Sequence, residues 1–138
     1  ALVAATVAND GVMMQPKLVN SIVDKDQNVI KTIGSKELKQ VMSSDIAETI
    51  QDYMTNLVNS NLSKWPAFKG TNAGGKTGTA DYTLPDGSEA TPHSWFIAAA
   101  PMDDPQIAVA VIVENGGTGS GAAATVASKV VSQAVLGY

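Results

Sequence analysis

A chain of 138 residues has room for one ordinary domain and not for two. With 44% hydrophobic and 16% charged residues it holds ample apolar material for a core and does not read as disordered. Nine lysines against thirteen acids leave a net charge of −4, which argues against nucleic acid as a partner, and zero cysteines with one histidine remove disulfides, thiolate chemistry and zinc clusters.

In chain order, Ala1 to Asp10 is alanine-rich helix material followed by Gly11, where a left-handed cap would fall. No basic segment or initiator methionine precedes it, so it does not fit a signal peptide and reads as a helix cut through its beginning. Leu18–Asp24 and Val29–Ile33 are β-branched runs joined by Lys25 to Asn28, a hairpin pattern. From Asp45 to Leu62, Ile46, Ile50, Tyr53, Met54, Leu57 and Val58 recur at helical spacing. Ser43, Ser44 or Asp45 can cap that helix, and its apolar face is expected to pack in the core.

Gly75–Tyr82 and Ser94–Ala100 read as strands, and the seven apolar residues Ile107 to Val113 as a strand buried on both faces at a sheet centre. That run is far short of the roughly 20 apolar residues a membrane span needs. Pro101 to Pro105 supplies turn residues for an antiparallel hairpin, with Asp103 and Asp104 as turn formers. Gly116 to Gly121 gives the chain freedom to turn before a last helix whose apolar positions are Ala123, Val126, Ala127, Val130, Val131 and Ala134, closed by Gly137. The expected fold class is α/β (α+β), an antiparallel sheet packed by helices.

The segment Gly70 to Ala80 carries the most chemistry and admits two readings. Gly70, Gly75, Lys76 and Thr77 satisfy the GxxxxGK[ST] phosphate-loop pattern. Such a loop must open a helix straight after its lysine, yet Thr77 to Gly87 contains Gly78, β-branched threonines, Pro85 and Gly87. The other reading puts Lys76-Thr77-Gly78-Thr79 on an exposed edge strand facing a cleft, where it could bind an anionic acyl substrate. The bare triplet is weak, but Thr79-Ala80, His93-Ser94-Trp95-Phe96, Ala100-Pro101 and Val113-Glu114-Asn115 follow it in order, and Val7-Ala8-Asn9-Asp10-Gly11 with Gln15-Pro16-Lys17-Leu18-Val19 precede it.

That whole order resembles the C-terminal part of a penicillin-binding protein transpeptidase domain, over nearly the full chain. Thr79-Ala80 is similar to the class B enzymes of elongation and division rather than to class A enzymes or β-lactamases. The resemblance implies a D,D-transpeptidase that cross-links peptidoglycan stem peptides through an acyl-serine intermediate and binds β-lactams, with no cofactor. It implies Lys76 and Thr79 as catalytic residues, Lys76 by its charge beside the serine–lysine pair and Thr79 by a backbone amide forming half of the oxyanion hole. Thr77, Gly78, Thr79 and Ala80 would bind substrate, the two threonine hydroxyls meeting its carboxylate. By the same resemblance the site lies on the extracytoplasmic face of the cell membrane, anchored through a region absent here, with cell-wall synthesis machinery as a partner.

His93, at a strand entry, and the aromatics Trp95 and Phe96 are read as structural. One departure stands out: no lysine has a serine three residues before it, so Ser-x-x-Lys is absent, and Ser-x-Asn is absent too. The expectation is therefore a chain that is not catalytic alone, its N-terminal part lost by cloning or proteolysis or bound as a separate chain. A noncatalytic interaction or sensor module with the same fold is the remaining alternative.

Overall fold

The computed structural model describes residues 1–137 of the chain. In order, the described elements are α1 (Leu2–Ala8), β1 (Val12–Met14), β2 (Ser21–Val23), β3 (Val29–Thr32), β4 (Glu37–Gln40), α2 (Ser44–Asn59), a 3-10 turn (Pro66–Phe68), β5 (Gly74–Ala80), β6 (His93–Ala100), β7 (Ile107–Val113) and α3 (Ala122–Leu136). The expected antiparallel sheet packed by helices is what forms.

The main sheet runs β5-β6-β7, antiparallel throughout, with Gly78 opposite Trp95 and Phe96 opposite Val111. Because side chains alternate across a strand and paired residues share a face, Thr77, Thr79, Ser94, Phe96 and Ala98 lie on one face, and Lys76, Gly78, Trp95 and Ile97 on the other. The first face is closed by α3 and the 3-10 turn. Phe96 is fully buried there between Trp65, edge-on at 5.3 Å, and Phe68 at 5.8 Å, in a cluster that includes Ala98, Ala100, Ala123, Ala124, Ala127 and Val131. Burying one such ring contributes about 1.5–3 kcal/mol.

The second face is only partly covered. Helix α2 crosses it close to β5, where a Cβ on Gly74 would stand 3.0 Å from Met54 Cβ, and α1 contacts β6 and β7. Ser43 caps α2 by accepting the Ile46 N–H. Of the helical face read from the sequence, Met54 and Val58 are buried, whereas Ile46 and Tyr53 are 54% and 70% exposed.

Three expectations are corrected. Ile107–Val113 is not the sheet centre but an outer strand, half-buried with Ala110 and Ile112 exposed, because among the described residues it pairs only with β6; the central strand is β6, buried at Ser94, Phe96 and Ala98 to Ala100. In α3, Val126 and Val130 stay exposed, and the buried stripe is Ala123, Ala124, Ala127, Ser128, Val131 and Ser132. Small side chains let that helix sit close on the alanines of β6. Trp95 is 38% exposed rather than packed away, since it lies on the open face.

The hairpin β2–β3 forms, shorter than expected, across a turn in which Asp24 accepts from Asn28 and from the Asp26 amide. A second ribbon, β1–β4, pairs Val12 with Gln40. It is seated by Gly11, which lies two positions past Asn9, the C-cap of α1, rather than capping the helix itself; its φ is +80° and its missing Cβ would stand 2.4 Å from Met42 O.

Candidate active site

One edge of β5 pairs with β6, and the other has no partner strand among the described residues. In an antiparallel ladder a residue turns its N–H and C=O either both toward its partner strand or both away, in alternation. Gly78 N and Trp95 O both lie within 2.7 Å of one point, the position a Cβ on Gly119 would occupy, so Gly78 turns its backbone to β6. Its neighbours Thr77 and Thr79 therefore turn theirs to the free edge. In keeping with this, Lys76 Nζ donates to Thr77 O at 2.6 Å.

This gathers the five candidate residues on one edge. Lys76 is exposed on the open face, and among the described residues its ammonium meets no carboxylate. Thr77 is half-buried on the closed face, and Thr79 is exposed with its backbone N–H at the edge. Gly78 cannot carry a side chain without crowding Trp95, whose Cβ would be 3.1 Å away. Ala80 ends the strand opposite His93. An uncompensated cation beside unpaired backbone N–H groups is an arrangement that receives a carboxylate or a developing oxyanion.

The phosphate-loop alternative fails on this geometry. Gly75, Lys76 and Thr77 are strand residues, and no helix follows the lysine before β6. Gly75 faces Phe96, not a ligand: its missing Cβ would stand 2.6 Å from the ring.

Beside Lys76 on the open face runs an apolar groove of about 590 Å³, lined by Val7, Met42, Ile50, Met54, Leu57 and Ile97. A polar hollow lies past the end of β5, among Asp81, Tyr82, Thr83, Glu89, Ala90 and Pro92. His93 belongs to the framework of that end. Its Nδ1 accepts the Asn115 N–H at 3.0 Å, its ring stacks on Tyr82 at 4.6 Å, and the Tyr82 hydroxyl donates to Asn115 Oδ1 at 2.6 Å. Sequence reasoning gave His93 a structural role but did not pair Tyr82 with Asn115, which sit 33 positions apart. Among the described residues there is no cluster of three or more metal-binding side chains, and no helix is long and apolar enough to cross a membrane.

Comparison with known proteins gives a consistent result. The family described as penicillin binding protein transpeptidase domain matches residues 1–132. The peptidoglycan D,D-transpeptidase PbpA of Mycolicibacterium smegmatis is 41% identical over 85% of this chain and 23% of its own length. The PbpA of Mycobacterium tuberculosis is 36% identical over 98% of this chain and 28% of its own length. Among solved structures, an imipenem acyl-enzyme complex of penicillin-binding protein A from M. tuberculosis superposes with a TM-score of 0.82 at 33% identity, covering 98% of this chain and 29% of that one. Penicillin-binding protein 2B from Streptococcus pneumoniae gives 0.77 at 28% identity, covering 94% and 23%. The chain thus spans about a quarter of the length of the curated relatives it matches.

Proposed function

The chain belongs to the penicillin-binding protein transpeptidase domain family, and on that premise we propose that it is part of a D,D-transpeptidase that cross-links peptidoglycan stem peptides and binds β-lactams. The observation that carries the proposal is the unpaired β5 edge, where Lys76 and the Thr79 N–H stand together without a protein partner for the charge. The relatives' names and the β-lactam acyl-enzyme complexes of penicillin-binding protein A support the same chemistry.

In the proposed reaction a serine oxygen attacks the carbonyl carbon of a D-alanyl-D-alanine bond, and the carbonyl oxygen takes the negative charge. Thr79 N–H donates one of the two hydrogen bonds that hold it. Collapse expels D-alanine, which takes up a proton, and leaves an ester on the serine. The amine of a neighbouring stem peptide then attacks that ester, forms the new amide and returns the serine. Lys76 stabilises the anionic groups and assists proton transfer. Thr77, Gly78 and Ala80 complete the strand along which the donor peptide lies.

The nucleophile belongs to a part of the domain that this chain does not contain, since Ser-x-x-Lys and Ser-x-Asn occur nowhere in it. An apolar helix of that part would fill the groove beside Lys76 and bury the open face. The domain would work at the extracytoplasmic face of the membrane, anchored outside this chain, among cell-wall synthesis machinery.

The test is covalent labelling of the complete transpeptidase domain, this chain with its upstream region, by a fluorescent penicillin. Lys76→Ala should slow labelling about 10²–10⁴-fold, the range of a lost acid–base group. A folded complete domain that takes no label would overturn the proposal.

A further inference from the structure

The glycine-rich segment between β7 and α3 is laid across the end of the sheet and anchored on both sides of Gly119. Ser94, fully buried, donates to Thr118 O at 2.8 Å and accepts the Ala123 N–H at 3.1 Å. Trp65 Nε1 donates to Ser120 O at 2.9 Å. Between these anchors Gly119 lies flat on the Gly78–Trp95 pair. A Cβ there would stand 2.3 Å from Gly78 O and 2.7 Å from Trp95 O, so no other residue fits without moving the loop. At this closest approach the Gly119 N–H donates to Thr79 Oγ1 at 3.2 Å.

That bond sets the polarity of a hydroxyl. A threonine O–H has one proton to give and two lone pairs to receive with. One lone pair of Thr79 is occupied by a backbone N–H that can only donate, so the hydroxyl proton is directed away from the loop. Thr79 is exposed at the strand edge, one position beyond Gly78 and three beyond Lys76. A hydroxyl presented as a donor at the exposed edge of the strand matches a carboxylate, and donation to a charged acceptor is about twice as strong as a neutral hydrogen bond.

We propose that the Thr118–Gly121 loop is a positioning element of the site, its Gly119 amide holding the Thr79 hydroxyl as a donor to the carboxylate of the ligand. The inference rests on the transpeptidase reading above and adds to it a part of the chain far from the Lys-Thr-Gly strand in sequence.

The experiment compares acylation rates of the complete transpeptidase domain by benzylpenicillin and by its methyl ester, which lacks the carboxylate charge. The ratio of the two rates reports carboxylate recognition. Gly119→Ala, which forces the loop off β5, and Ser94→Ala, which releases both its anchoring bonds, should each shrink that ratio about 10-fold, the order of one charge-assisted hydrogen bond. The ester rate should stay within about three-fold. Thr79→Val should remove the preference itself, and adding Ser94→Ala to it should bring no further loss of the ratio. Where Gly119→Ala does not fold, Ser94→Ala and the double variant carry the measurement. Wild-type ratios in both loop variants, or an equal loss for acid and ester, would overturn the inference. If the folded wild-type domain is acylated by neither compound, the transpeptidase reading falls and takes this inference with it.

Discussion

Replacing Gly75 with alanine should cost about 1–3 kcal/mol of stability, the range for forcing an extra methyl into a filled core. The new Cβ would stand 2.6 Å from both Cε1 and Cζ of Phe96 and 3.1 Å from Ile97 O. Phe96 cannot swing clear, because it is fully buried and boxed between Trp65 and Phe68 at 5.3 and 5.8 Å. If the ring is the obstacle, shortening it removes the obstacle. Phe96→Leu destabilises by itself through the volume it vacates, but in that background Gly75→Ala should cost less than about 0.5 kcal/mol. Urea unfolding of the complete domain, followed by tryptophan fluorescence, reads both costs as shifts in midpoint at constant slope. An alanine that costs the same with phenylalanine or leucine at position 96 would refute the packing account of this glycine.

The remaining expectations concern the ends of the fold. His93→Ala removes the bond to Asn115 N and the stack on Tyr82; it should cost about 1 kcal/mol and leave penicillin labelling of the complete domain within a few-fold of wild type. A loss of about 10²-fold or more would make His93 a general base instead. At the β2–β3 turn, the Asn28 side chain and backbone together hold the Asp24 carboxyl below its ordinary range, with a lesser contribution from the Asp26 amide. A depressed folded value stabilises the turn at pH above the ordinary carboxylate value, and the gain is lost as pH falls through the folded one. Amide exchange at Asn28 should therefore quicken, relative to its intrinsic rate, in acid and not near neutrality. Asp24→Asn should abolish that acid dependence, and an unchanged profile would refute the assignment.

The strand that carries the candidate site was legible because two local signals agree. Gly78 and Pro85 deny the helix a phosphate loop requires, and the triplet has downstream company in a fixed order. Helix α2 was legible from its spacing and its serine cap. What could not be read depends on which element lies against which. The β1–β4 ribbon pairs residues up to 28 positions apart through short segments, Val-Met-Met and Glu-Leu-Lys-Gln, too short to show a strand pattern. The buried stripe of α3 takes in Ala123, Ala124, Ala127, Val131 and two serines against the alanines of β6 and leaves Val126 and Val130 outside. Tertiary packing overrides the hydrophobic count in both cases. The role of Gly119 was out of reach for the same reason, since a glycine needed for a loop and one needed for a contact are the same letter.

The parity of β5 ties these observations together. Lys76 and Gly78 share the open face with Ile97, while Thr77 and Thr79 share the closed face with Phe96 and the Gly119 loop. One strand thus presents an ammonium to the groove on one side and a hydroxyl to the loop on the other, with the backbone edge between them. A slip of a single residue would exchange the two sets. Lys76 would then enter the cluster of Trp65, Phe68 and Phe96, where an unpaired ammonium costs several kcal/mol, and a threonine would replace it at the groove. Phe96 opposes the slip that would bring Lys76 to the place of Gly75, since any Cβ there would stand 2.6 Å from its ring. The packing on the closed face is therefore what keeps the lysine on the open one.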